Sequence, residues 1–155
     1  MAWTKDSNGG IKRLYNLDLG TTLDENGLVM AAAGATVSSD ALIVGKDVKL
    51  GTIGVTVEVD DSPAGDVDWD LLACNAESGT YSVVAASFAT KFVTGDAANT
   101  YRAGTVDLSL YPFNYFKIGL RSTADDSGSH ARIIVSQDDG PQADMTISGI
   151  GADPS

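Results

Sequence analysis

Ile53-Gly54-Val55-Thr56-Val57-Glu58-Val59-Asp60 decides the fold. Apolar β-branched residues hold the odd positions, and small or polar residues fall between them. A period of two places the apolar set on one face of a strand and turns the other face to water. This is the signature of a half-buried antiparallel sheet. Downstream, Asp61-Ser62-Pro63-Ala64-Gly65 is a turn, with Pro63 fixing φ and Gly65 free to take positive values. Alternation then resumes, with Val67, Trp69, Leu71 and Ala73 set against Asp68, Asp70, Leu72 and Cys74. The spacing predicts that Thr52–Asp60 and Val67–Cys74 form a hairpin.

The same rhythm recurs on both sides. Tyr15–Leu19 alternates cleanly, and Ala41–Val44 reads as a short buried strand. Residues 28–34 hold Ala-rich sequence between Gly27 and Gly34, too tightly bracketed for a helix, and read as strand or loop. Weaker strands are expected at Tyr81–Phe88 and Lys91–Val93, and a further one over Thr105–Leu110, ended by Pro112. Tyr115–Arg121 buries Phe116, Ile118 and Leu120, and Ala131–Ser136 is the last clear strand. About eight strands with turn signals between them predict an all-β, antiparallel β-sandwich of jelly-roll type. Three regions are expected: an N-terminal arm at 1–13, broken off by Ser7-Asn8-Gly9-Gly10; a sandwich domain at 14–137; and a tail at 138–155 with four acids and no base.

Composition narrows the function. A chain of 155 residues with 43% hydrophobic content is large enough to bury a core without disulfides. Ten basic and 21 acidic residues give a net charge of −11. Such a surface repels nucleic acid and anionic membranes. It serves solubility, and it also suits a setting where many crowded copies must not stick, such as a virion surface or a high-salt medium. The single cysteine, Cys74, excludes an internal disulfide, and its apolar neighbours predict a buried thiol. No stretch has the apolar length of a membrane helix, and the first residues lack the basic-then-apolar order of an export signal.

Motifs of catalysis are sparse. The one histidine, His130, follows Asp125-Asp126-Ser127-Gly128-Ser129 and reads as an exposed turn residue, with no nucleophile elbow beside it. One His and one Cys are too few for a zinc site. Asp66, Asp68 and Asp70 match positions 1, 3 and 5 of a calcium loop, and Glu77 matches position 12. The match fails at position 6, where the sharp turn needs Gly and the chain has Leu71. On a strand the same spacing lines the three carboxylates along one solvated face. No cofactor, metal or enzymatic activity is expected.

Taken together, Val55–Val59, Trp69-Asp70-Leu71-Leu72-Ala73, Asn75–Tyr81, Tyr115–Leu120 and Ala131–Val135 form a cadence that resembles the jelly-roll cement, or decoration, proteins of tailed-bacteriophage heads. The resemblance spans residues 14–136. It implies a protein of the outer capsid surface that bridges subunits of the major capsid protein. A bridging role needs an interface of at least ~1,000 Å², and the open edges of a solitary sandwich predict a homo-oligomer, trimer or dimer. Charge distribution suggests the footing. Residues 1–20 carry three bases against two acids, and the remainder carries seven against nineteen. Trp3, Lys5, Lys12, Arg13 and Tyr15 therefore form the expected capsid interface, combining positive charge with aromatic types favoured at interface centres. The alternative is a carbohydrate- or receptor-binding sandwich, whose aromatic platform would come from Tyr111, Phe113, Tyr115 and Phe116.

Overall fold

The computed structural model describes residues 3–5, 12–17, 28–30 and 32–138. Among them are eleven strands: β1 (Trp3–Lys5), β2 (Lys12–Leu17), β3 (Leu28–Val29), β4 (Thr36–Ser38), β5 (Leu42–Ile43), β6 (Thr52–Val59), β7 (Val67–Cys74), β8 (Ser82–Ala85), β9 (Tyr101–Asp107), β10 (Tyr115–Ser122) and β11 (His130–Asp138). They form an all-β sandwich of two antiparallel sheets. The larger sheet has the order β1-β2-β11-β6-β9, with β3 also pairing β11. The smaller runs β4-β10-β7-β8, with β5 also pairing β10.

Alternation in the sequence becomes the core directly. Ile53, Val55, Val57 and Val59 of β6, with Ala131, Ile133 and Val135 of β11, point inward from one sheet. Val67, Trp69, Leu71 and Ala73 of β7, with Phe116, Ile118 and Leu120 of β10, meet them from the other. All are buried, and each strand removes several β-branched or aromatic side chains from water, which is the main favourable term in folding. Trp69 lies at the centre of the smaller sheet's inner face, edge-on to Phe88 at 6.1 Å and tilted against Phe92 at 5.9 Å.

The expected hairpin of β6 and β7 does not form: the two strands belong to different sheets. Residues 60–66 arch from one layer to the other. The arch is held from outside, because Ala64 N donates to Asp126 Oδ1 at 2.7 Å and Asp66 N donates to Thr123 Oγ1 at 2.9 Å. Pro63 and Gly65 are buried within it. A hairpin and an arch both leave two amphipathic strands around a turn, so alternation does not separate them. From β6 onward, successive strands pair only at β7–β8. The links β6–β7, β8–β9, β9–β10 and β10–β11 all change sheets.

Two further expectations are corrected. The strand expected over Thr105–Leu110 begins earlier, at Tyr101, and stops at Asp107. There the Asp107 carboxylate accepts from Ser109 N at 2.9 Å and opens a 3-10 turn over Leu108–Leu110. The strand expected first, from Tyr15, starts at Lys12 and is preceded by β1 at Trp3–Lys5; the Asp18–Leu19 end of that expectation, and the tail from 139 onward, lie outside the described residues.

Candidate functional site

The five residues expected at a capsid interface fall on two neighbouring strands. Trp3 and Lys5 belong to β1, and Lys12, Arg13 and Tyr15 to β2. In the β1–β2 register Lys5 pairs with Tyr15 and Trp3 with Leu17. Strand β2 then joins β11, placing Tyr15 opposite Val135, Arg13 opposite Gln137 and Lys12 opposite Asp138. The candidate footing is therefore one edge of the larger sheet.

In the body, four basic side chains are paired with carboxylates. Arg121 of β10 and Asp68 of β7 are register partners on the outer face of the smaller sheet. Arg121 Nε donates to Asp70 Oδ2 at 2.9 Å and Nη2 to Asp70 Oδ1 at 3.2 Å, while Nη1 lies 3.5 Å from Asp68 Oδ2. Ser87 closes the group, its N–H donating to Asp70 Oδ1 at 2.9 Å and its hydroxyl to Asp68 Oδ1 at 3.2 Å. The Asp70 side chain is only 2% exposed. The face expected to be solvated is thus covered, because a bidentate guanidinium and the backbone at Ser87 lie over it. The bond to Asp70, foremost, raises the Arg121 pKa further above its ordinary value.

Other pairs follow the same rule. Arg132 Nη2 donates to Glu58 Oε1 at 2.6 Å across the β11–β6 register. Arg102 Nη2 donates to Asp96 Oδ2 at 2.9 Å while its guanidinium carbon lies 5.6 Å from the centre of the Phe92 ring. Lys91 Nζ donates to Asp66 Oδ2 at 2.6 Å, and this bond leads the causes that hold the Asp66 carboxyl below its ordinary pKa. The calcium-loop spacing is therefore split, with Asp66 on Lys91 and Asp68 and Asp70 on Arg121. Among the described residues no three of His, Cys, Asp and Glu stand together as metal ligands.

His130 is not an exposed turn residue. It opens β11, its N–H donates to Asp60 Oδ1 at 2.7 Å, and its Nδ1 lies 3.0 Å from Asp60 Oδ2, with the side chain 22% exposed. The carboxylate thereby ties the end of β6 to the start of β11. Cys74 is half-buried rather than buried, since it lies on the outer side of β7 and accepts from Ala76 N at 3.5 Å.

An open groove of about 370 Å³ lies where β5, β10 and the turn after β7 meet, lined by Asp40, Ile43, Lys46, Asp47, Glu77 and Lys117. Its charges are mixed, and its walls are partly committed. Asp47 Oδ2 accepts from Ile43 N at 2.9 Å, and the Lys117 ammonium lies 4.5 Å above the Tyr81 ring. Segments distant in sequence build it, so no local pattern announces it. The aromatic run does not form an open platform: Phe116 is fully buried, and Tyr111 and Phe113 pack against the core. Among the described residues no helix is long and apolar enough to cross a membrane. The chain matches no protein-family model, and no curated protein matches it significantly.

Proposed function

We propose that this protein is a non-enzymatic structural component of a virion, which decorates the outer surface of a phage capsid and bridges subunits of the major capsid protein. The observation that carries the reading is the placement of Trp3, Lys5, Lys12, Arg13 and Tyr15 on the adjoining strands β1 and β2. Strand β2 is hydrogen-bonded into β11, so a partner gripping this edge pulls on the whole sheet and not on a tether. Positive charge there, on a chain of net −11, gives a polarity that would orient docking. Pairing of Lys91, Arg102, Arg121 and Arg132 within the body supports the same reading, since it stiffens the sandwich that the edge strands are built into.

Deletion of residues 1–10 tests this, since it removes β1 and leaves β2 whole. The purified protein should co-sediment with capsids of the virus that encodes it, and the deletion should lower occupancy at least tenfold. Wild-type protein that fails to co-sediment would overturn the function; unchanged occupancy after the deletion would remove β1, with Trp3 and Lys5, from it.

A further inference from the structure

We infer that β9 is a self-association edge, on which a second copy of this chain adds its own β9 antiparallel about a two-fold axis at Gly104. The inference is independent of the capsid reading. It starts from how the edges of the two sheets are guarded. Exposed strand edges invite pairing, and proteins blunt them with short strands, bulges, Pro or Lys. At one edge of the larger sheet, β1 has three residues and ends on Lys5. In the smaller sheet, β4 and β5 have three and two residues. Its other edge, β8, has four residues and a register shift between Leu71 and Leu72.

Strand β9 is neither short, bulged nor broken by Pro, and its one inward charge, Arg102, is neutralised within the chain by Asp96. Its seven residues, Tyr-Arg-Ala-Gly-Thr-Val-Asp, keep unbroken register with β6 from Glu58↔Tyr101 to Thr52↔Asp107. There is no Pro and no Lys. Among the described residues β6 is its one strand partner. The segment between β8 and β9 does not fill the edge. It runs along β7 instead, with Phe88 N bonded to Trp69 O and Phe92 paired with Val67, and it meets β9 from the inner side, where Ala89 lies under Gly104.

A second copy is the occupant that the sequence of β9 fits. With the axis at Gly104, Ala103 faces Thr105 of the other copy, Arg102 faces Val106, and Tyr101 faces Asp107. No like charges oppose each other, which across a strand pair would be destabilising. The strand carries one Arg and one Asp, so it is neutral on a chain of net −11 and is a place where two such chains can approach. Its outer face is exposed and small at Ala103 and Thr105, and Tyr101, 69% exposed, would be covered by the joint. Isologous pairing of this kind closes on itself and does not propagate.

Two measurements test the inference. Sedimentation equilibrium of the full chain should show a monomer–dimer equilibrium. The variant Ala103→Asp/Thr105→Asp sets four carboxylates across the axis from exposed positions, and should shift that equilibrium to monomer by at least tenfold, with a thermal midpoint matching the wild type's at concentrations where both are monomeric. In a Cys74→Ser background, Ala103→Cys/Thr105→Cys should cross-link to a dimer under mild oxidation, and denaturant present during the oxidation should prevent the cross-link from forming. A wild-type chain that stays monomeric at the highest soluble concentration would overturn the inference. So would a dimer that is indifferent to both variants, and one that is instead lost on deleting residues 1–10 would place the joint at β1.

Discussion

Replacing Asp70 by Ala tests whether the charged group on the smaller sheet is a structural clamp. The carboxylate accepts from Arg121 Nε, Arg121 Nη2 and Ser87 N, and its side chain is 2% exposed. Breaking a buried pair by removing one partner costs about 3–5 kcal/mol. Two features lower the figure here. The Arg121 side chain is 35% exposed and so keeps access to water, and it retains Asp68 at 3.5 Å. Bonds to charged groups contribute a net of about 1.5–3 kcal/mol, so the expected loss is roughly 2–3 kcal/mol. For a chain of this size that lowers the midpoint of thermal unfolding by about 4–12 °C. Asp68→Ala is the control: it removes one long ion pair and a serine hydroxyl bond, and should cost under about 1 kcal/mol. Urea unfolding of Asp70→Ala, Arg121→Ala and the double variant then isolates the pair, with an expected coupling of about 1–3 kcal/mol. A loss below about 0.5 kcal/mol for Asp70→Ala, or no coupling, would refute the clamp.

Three other outcomes follow from the same geometry. Asp66, Asp96, Asp107 and Asp125 all have carboxyls held below the ordinary 3.8, the first by the Lys91 bond, the second by Val93 N–H and then Arg102, and the last two by Ser109 and Ser127. Groups with lowered folded pKa stabilise fully above the unfolded value, so the midpoint should hold above pH 3.8 and fall below it as these carboxyls protonate; a midpoint flat into stronger acid would contradict this. Gln137 lies buried at the end of β11, its Oε1 accepting from Lys49 N and its Nε2 donating to Lys49 O, both at 2.7 Å. Gln137→Ala should cost about 1–3 kcal/mol, read as a lower urea midpoint at unchanged slope. A Cβ on Gly104 would meet Ala89 Cβ at 2.3 Å, so Gly104→Ala should destabilise by about 1–3 kcal/mol and Ala89→Gly should restore part of the loss.

Strand faces were legible because burial on one side writes itself as alternation. Val67–Cys74 matches β7 end to end, and Tyr115–Arg121 matches β10 to within a residue. What alternation leaves open is which strand lies beside which, since a pattern of period two fixes a face and not a neighbour. That is why the β6–β7 arch reads as a hairpin. The start of β9 was hidden for another reason. Its inward positions are Arg102 and Gly104, the first covering Phe92 and the second admitting Ala89, so neither carries an apolar mark. Asp70 looked solvated because its partner, Arg121, is 51 residues away in sequence. The same holds for His130 and Asp60, 70 residues apart, and for the groove. For Asp70, Asp60 and His130, long-range partners and not local propensity set the chemistry.

The two proposed interfaces have a mechanical relation that neither has alone. Strands β1–β2 and β9 are opposite edges of one sheet, β1-β2-β11-β6-β9. A chain anchored to a capsid at one edge and to a second copy at the other would carry load across the strands, through backbone ladders, without routing it through the acidic loops. Those ladders are unequal. The β6–β9 register runs over seven residue pairs and β11–β6 over six, each backed by the Val55–Val59 and Ala131–Val135 core, whereas β2–β11 runs over five. A load shared in series fails at its weakest ladder, so β1–β2, with three residue pairs, should part first and β2–β11 next, leaving the sandwich body folded. Gln137 and Val135 lie in the β2–β11 ladder, opposite Arg13 and Tyr15. The buried hold of Gln137 on Lys49 therefore does more than close one end of the sandwich, because it keeps β11 in place against the strand that would take the strain.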